Sequence, residues 1–119
     1  MPVPFEVTSE LLDDRIHHIV VRGELDLGTA PGLADELHAA RDAGGHSILI
    51  DLTDCDFIDS SGLALIVGSW RDLEGRQGED RLVMCSAGVQ VQRLLRITGT
   101  DEAIAVFDSA EDALASLRN

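Results

Sequence analysis

The densest run of reactive side chains lies between Asp51 and Leu63, where Asp51, Asp54, Asp56 and Asp59 are interspersed with Thr53, Cys55, Ser60 and Ser61 ahead of Gly62. A hydroxyl at the start of a helix can do one of two things. Ser60 can cap the helix, its oxygen accepting from an unpaired backbone N–H of the first turn. Alternatively it can accept a phosphoryl group, because a phosphate there meets free N–H donors and the positive end of the helix dipole. Both readings are open on residue type and position alone, and in the second Gly62 lets a partner approach closely.

Energetics indicate what such a modification would do. A phosphoserine adds about −1.5 to −2 charges, and the dipole returns only about 0.3–1 kcal/mol at an exposed site. The same charge inside a docked interface costs several kcal/mol through desolvation and like-charge contact. The disruptive effect is the larger, so phosphorylation is expected to release a partner without unfolding the chain.

Other chemistry is poorly served. All nine basic residues are Arg, which excludes a lysine nucleophile, the lysine of a phosphate-binding Gly-x-x-x-x-Gly-Lys loop, and the lysine that an aspartyl-phosphate receiver domain needs. Cys55 and Cys85 form no Cys-x-x-Cys pair and have no His at ligand spacing, so they read as reduced, partly buried thiols and no metal is expected. His17 and His18 alternate along a strand while His38 and His46 lie in or after the first helix, which suits solvated or packed rings. No Ser-His or Cys-His arrangement emerges, and the chain is read as a non-enzyme without a cofactor.

The elements that must position the Ser60 turn follow from periodicity. Ile16–Val21, Ser47–Leu52, Arg81–Cys85 and Ala103–Phe107 are short apolar runs of the kind buried in a sheet, and Phe5–Thr8 adds an edge strand closed by a turn at Asp13-Asp14. Between them the apolar period lengthens to that of helices. The first starts near Thr29, tolerates Pro31, stops at Gly44-Gly45 and buries Leu33, Leu37 and Ala40. The second runs from Ser60 or Ser61 to about Gly75 and buries Leu63, Ile66, Val67, Trp70 and Leu73. The third follows Ser86, stops at Gly99 and buries Val91, Leu94 and Leu95. The fourth begins at a capping box on Ser109 and buries Ala110, Ala113, Leu114 and Leu117.

Alternation of strand and helix implies an α/β fold with a mostly parallel sheet of four to five strands and about four helices. Residues 1–119 are expected to form one domain, with function at the carboxyl ends of the strands. The side of the second helix opposite its buried stripe carries Ala64, Leu65, Gly68 and Asp72. That side is either a docking surface or an ordinary surface with one isolated leucine.

Composition bounds the partner. A net charge of −13 and a pI near 4.4 argue against nucleic acid and anionic membranes, and favour a protein partner bearing Arg or other cations. Met1-Pro2-Val3-Pro4 has no basic leader pattern and no stretch reaches membrane-span length, so a cytoplasmic location is expected.

Gly23-Glu24-Leu25-Asp26 at a strand end, followed by Phe57-Ile58-Asp59-Ser60-Ser61-Gly62-Leu63 at a helix start, resembles the STAS family, and within it the free-standing bacterial anti-sigma factor antagonists. The resemblance runs over essentially the full length and implies a partner-switching cycle. The unmodified antagonist binds an anti-sigma factor that is also a serine kinase, which frees a sigma factor; that kinase, using ATP and Mg²⁺, phosphorylates the antagonist, and a serine phosphatase restores it. By resemblance Ser60 is the phosphoacceptor, with Ser61 the second candidate. Asp26 is expected beside Ser60, and Asp26 and Asp59 to orient its hydroxyl. Gly62, Leu63, Ala64, Leu65 and Gly68 complete the partner face; Arg93 and Arg96 on the third helix either tune that surface or form an ordinary solvated face. Ala64 stands where many members carry a glycine, which trims the space for a partner helix. Other STAS domains are unphosphorylated modules of transport or stress-sensing complexes, and this is the alternative function.

Overall fold

The structure is a computed structural model and describes residues 4–44, 46–75 and 80–118; Met1-Pro2-Val3 and Gly45 lie outside them. Ten elements follow one another: β1 (Glu6–Leu12), β2 (Ile16–Leu25), α1 (Ala30–Ala43), β3 (Ser47–Ile58), α2 (Ser60–Glu74), β4 (Leu82–Cys85), α3 (Val89–Ile97), α4 (Thr100–Ala103), β5 (Val106–Phe107) and α5 (Ala110–Arg118). The strands form one sheet in the order β1-β2-β3-β4-β5, antiparallel only between β1 and β2.

Sequential parallel strands joined by right-handed crossovers place their connecting helices on one side of the sheet. On that side Leu33 and Leu37 of α1, Ile66 and Leu73 of α2, and Val91 and Leu95 of α3 pack onto Ile19, Val21, Ile48, Ile50 and Met84. Alternate residues of the same strands point the other way. There Ile16, Leu49, Val83 and Cys85 meet Ala113 and Leu117 of α5.

Three expectations need correction. The edge strand spans Glu6–Leu12 rather than Phe5–Thr8, because Asp13 and Asp14 both take positive φ (54° and 57°), the tight hairpin geometry that lets pairing continue to Leu12↔Ile16. Ala103 and Ile104 are not strand residues: Gly99, at φ 76°, starts an added turn of helix, α4, and only Val106–Phe107 pairs with β4. Among the described residues this adds one short helix, α4, to the four read from periodicity.

The third correction bears on the site. Thr53–Ile58, read as a loop after the Ser47–Leu52 run, continues β3 against β2 beyond the point where β4 ends opposite Asp51. Two register shifts, between Val20 and Arg22 and between Gly23 and Glu24, absorb the extra β3 residues. Cys55 and Ile58 therefore still point into the core, while Asp54, Asp56 and Phe57 are exposed.

Candidate functional site

β2 and β3 end together, with Leu25 opposite Ile58 and both buried. One further bond, from Asp59 N–H to the Leu25 carbonyl at 3.0 Å, carries the pairing to the first residue past the strand. Asp59 is extended (φ −95°, ψ −176°), and the next residue begins α2. The helix cap is therefore Asp59, not Ser60: its Oδ1 accepts from Gly62 N–H at 3.0 Å. Ser60 becomes the first helical residue. Its side chain is exposed, and its hydroxyl has no hydrogen-bond partner among the described residues. The backbone N–H groups of Ser60 and Ser61 belong to the first turn, where the helix supplies no acceptor. Ser61 is half-buried.

The other oxygen of Asp59 reaches a different element. Its Oδ2 accepts from Leu27 N–H at 3.1 Å, so one carboxylate ties the start of α2 to the β2–α1 loop. That loop is also held from within. Asp26 Oδ1 accepts from the amides of Gly28 (3.0 Å) and Thr29 (3.1 Å), and the Thr29 hydroxyl donates to the Glu24 carbonyl at 2.7 Å and accepts from Asp26 N–H at 2.9 Å. Asp59 thus spends both oxygens on backbone amides and Asp26 spends its Oδ1 within its own loop, and neither bonds the Ser60 hydroxyl, contrary to the expected orienting role. The amides of Gly28, Thr29 and Gly62 lie two or three residues from their carboxylates, at fixed local geometry, and the pairing of β2 with β3 brings the Leu27 amide to Asp59.

Gly62 also departs from expectation. A Cβ there would lie 2.6 Å from Leu25 Cγ and 3.0 Å from the Leu25 carbonyl oxygen, so the glycine admits the chain's own β2 rather than a partner. Leu63 and Leu65 are half-buried and pack on the core, which removes Leu65 from the isolated surface leucines. Ala64 and Gly68 are exposed, and nothing lies within 4 Å of where a Gly68 Cβ would be. They form a ridge between two grooves. One, against α1, includes Leu37, Leu65 and Ser69; the other, against the α3–α4 turn, includes Leu63, Val67, Trp70 and Ile104 with Ser60 at its rim.

The surroundings are acidic. Glu24, Asp54 and Asp56 are exposed on the projecting β2–β3 ribbon, where Arg22 approaches Asp54 at 3.8 Å. Farther down the sheet, on the α5 side, Asp51 is 8% exposed and accepts from His18 Nε2 at 2.9 Å and from the Thr53 hydroxyl at 2.6 Å. Burial alone would raise the Asp51 pKa, but the hydrogen bonds from Thr53 and His18 hold it below the ordinary value. Both cysteines are free and buried rather than partly so. Burial raises the Cys55 thiol and pushes Cys85 up to about 11, which leaves neither as a ready nucleophile. No group of three or more His, Cys, Asp or Glu among the described residues could hold a metal ion, and no helix there is long and apolar enough to cross a membrane.

Two features of the site escaped the sequence reading, the Asp59 bridge and the exposed Leu27. The first had a faint signal, since Asp is as good a cap as Ser. A lone leucine between Asp and Gly carries none.

The chain matches the family model described as STAS domain over residues 12–113. It is 31% identical over 111 residues to the anti-sigma-B factor antagonist of Staphylococcus aureus strain NCTC 8325 / PS 47, covering 93% of this chain and 98% of that one. An anti-sigma factor antagonist from Mycobacterium paratuberculosis superposes with a TM-score of 0.88 at 25% identity, over 100% of both chains. The antagonist SpoIIAA in its unphosphorylated form shares the fold, with a TM-score of 0.80 at 23% identity over 95% of this chain and 96% of that one.

Proposed function

From the premise that the chain belongs to the STAS domain family, we propose that it is an anti-sigma factor antagonist switched by phosphorylation of Ser60. In its unmodified form it binds an anti-sigma factor with serine kinase activity and so frees a sigma factor. The names of its relatives support the antagonist reading. One observation carries the switch: the Ser60 side chain is exposed on the first turn of α2, with no partner holding its hydroxyl among the described residues.

In the transfer, Ser60 Oγ forms a bond to the γ-phosphorus of ATP while the bond from that phosphorus to the β–γ bridging oxygen breaks. ADP leaves, and the hydroxyl proton passes to the kinase's own base. The kinase brings the Mg²⁺. Hydrolysis by a serine phosphatase returns the hydroxyl and inorganic phosphate. The added charge lands on a surface already bearing Glu24, Asp54 and Asp56, and it faces the docked partner, so it ends the association while leaving the core untouched. Ala64 and Gly68, with the groove beside them, offer the unmodified protein a face of low relief for that partner.

The experiment is to incubate the chain with each candidate anti-sigma kinase and ATP-Mg²⁺ and read intact mass. One phosphate on the unaltered chain, lost in Ser60→Ala and kept in Ser61→Ala, is expected. A phosphate that survives Ser60→Ala moves the site, and none with any cognate kinase favours the unphosphorylated module.

A further inference from the structure

Leu27 is 76% exposed, yet its loop is densely hydrogen-bonded. Asp26 and Thr29 lock residues 26–29 from within, and Asp59 fixes the Leu27 amide to the start of α2. Loops with exposed tips are usually left free to move. Here the backbone is pinned while a large apolar side chain is held in water, at a standing hydrophobic cost of about 1.5–3 kcal/mol relative to a buried site. With the backbone already fixed, little main-chain entropy is lost when a partner covers Leu27, which favours an energetic anchor. Around it the charge is predominantly acidic: Glu24, two residues before the loop, and Asp54 and Asp56 on the adjoining strand are exposed, against the cation Arg22 beside Asp54.

We infer that Leu27 is the apolar anchor of this chain's interface with its anti-sigma factor, entering a partner pocket rimmed by basic residues, and that Asp59 sets the distance between anchor and Ser60. The inference rests on the antagonist reading above and adds to it a specificity element that the phosphoacceptor turn does not contain. Because the same carboxylate touches both loops, a kinase that seats Leu27 finds the Ser60 hydroxyl at a fixed offset. The acidic rim favours encounter with a cationic surface and sets a salt dependence.

The test measures the Kd of the full chain for each purified anti-sigma factor of the source organism by calorimetry at two salt concentrations, alongside intact-mass phosphorylation. Leu27→Ala is expected to raise Kd about thirty-fold, the effect of a hot-spot residue, with an unchanged melting temperature. Leu27→Met is expected to restore most of the affinity, and Kd is expected to weaken with salt. Leu11→Ala is the control: Leu11 is 47% exposed but sits opposite His17, eight residues down β2 from Leu25, or roughly 26 Å at strand spacing. Its Kd is expected to match the unaltered chain. If Leu27→Ala binds within threefold of the unaltered chain while Ser60→Asp abolishes binding, the anchor is overturned and the antagonist reading stands. If no anti-sigma factor binds the unaltered chain, both fall.

Discussion

Leu25 occupies the space that a side chain on residue 62 would need, its Cγ 2.6 Å and its carbonyl oxygen 3.0 Å from where a Gly62 Cβ would lie. The nearest neighbours include backbone, and Leu25 is itself fully buried, so neither can simply swing aside. The start of α2 is therefore seated on the end of β2 by the absence of one carbon.

Gly62→Ala is expected to destabilise the fold by about 1–3 kcal/mol, the usual cost of overpacking, with an unchanged m-value. Urea denaturation checks this. A cost within error of zero would show that α2 can lift off β2 without penalty.

Asp59 separates two functions that share one carboxylate. Asp59→Ala removes the helix cap and is expected to cost about 0.5–2 kcal/mol. Asp59→Asn keeps one carbonyl oxygen for Gly62 N–H but turns an NH₂ toward Leu27 N–H, so stability should be nearly retained while the loop is released. Amide hydrogen exchange at Leu27 should accelerate in both variants, whereas the melting temperature should fall mainly in the alanine variant. Unchanged exchange at Leu27 in both would remove the bridge.

Ser60→Asp is expected to raise the Kd for the anti-sigma factor by about thirty-fold or more, because a charge facing a docked partner costs some 2 kcal/mol or more. Unfolding free energy should stay within about 0.5 kcal/mol of the unaltered chain, as for other surface substitutions. Parallel calorimetry and denaturation compare the two. Equal losses in binding and stability would count against a surface switch.

Stability should fall on acidification in two stages. His17 is held below the ordinary histidine value, first by burial and then by His46, whose Nδ1 lies 2.8 Å from His17 Nε2; Glu36 opposes the shift. The unfolded chain then binds the proton more readily, so stability is full above the ordinary value near 6.5 and declines as pH drops through it, levelling off below the folded pKa. Asp51 contributes stability that is full above its ordinary value of 3.8 and is lost as pH falls through its lower folded pKa. Denaturation between pH 4.5 and 8 isolates the first stage, and His17→Leu should flatten it. A slope that persists in that variant would assign the titration to another group.

Much of this architecture could be read before folding because its signals are local and repeated. The stripes of α1, α3 and α5 bury Leu33, Leu37, Val91, Leu95, Ala113 and Leu117 as periodicity implies. The four apolar runs pair in sequence order. What was hidden depends on tertiary pairing. Asp54 and Asp56 look like loop residues until β2 supplies a partner strand and two register shifts. Thr100–Ala103 is a single turn, too short to show a period. The motif residues Asp26, Asp59 and Ser60 were found, but which atoms the two carboxylates bond could not be deduced, since an Asp serves its own loop, a neighbouring amide or a hydroxyl with equal facility.

The strand order has a consequence for the kind of object this molecule can recognise. Among the described residues the five strands follow one another across the sheet without reversal, so the sheet has no topological switch point there at which adjacent loops diverge and open a crevice. The same succession lets β2 and β3 overshoot β4, lifting their final residues clear of the sheet as a promontory. A fold built this way offers relief instead of enclosure. It is suited to being grasped by another macromolecule, and under the proposed switch a phosphate on Ser60 would act at the edge of that grip.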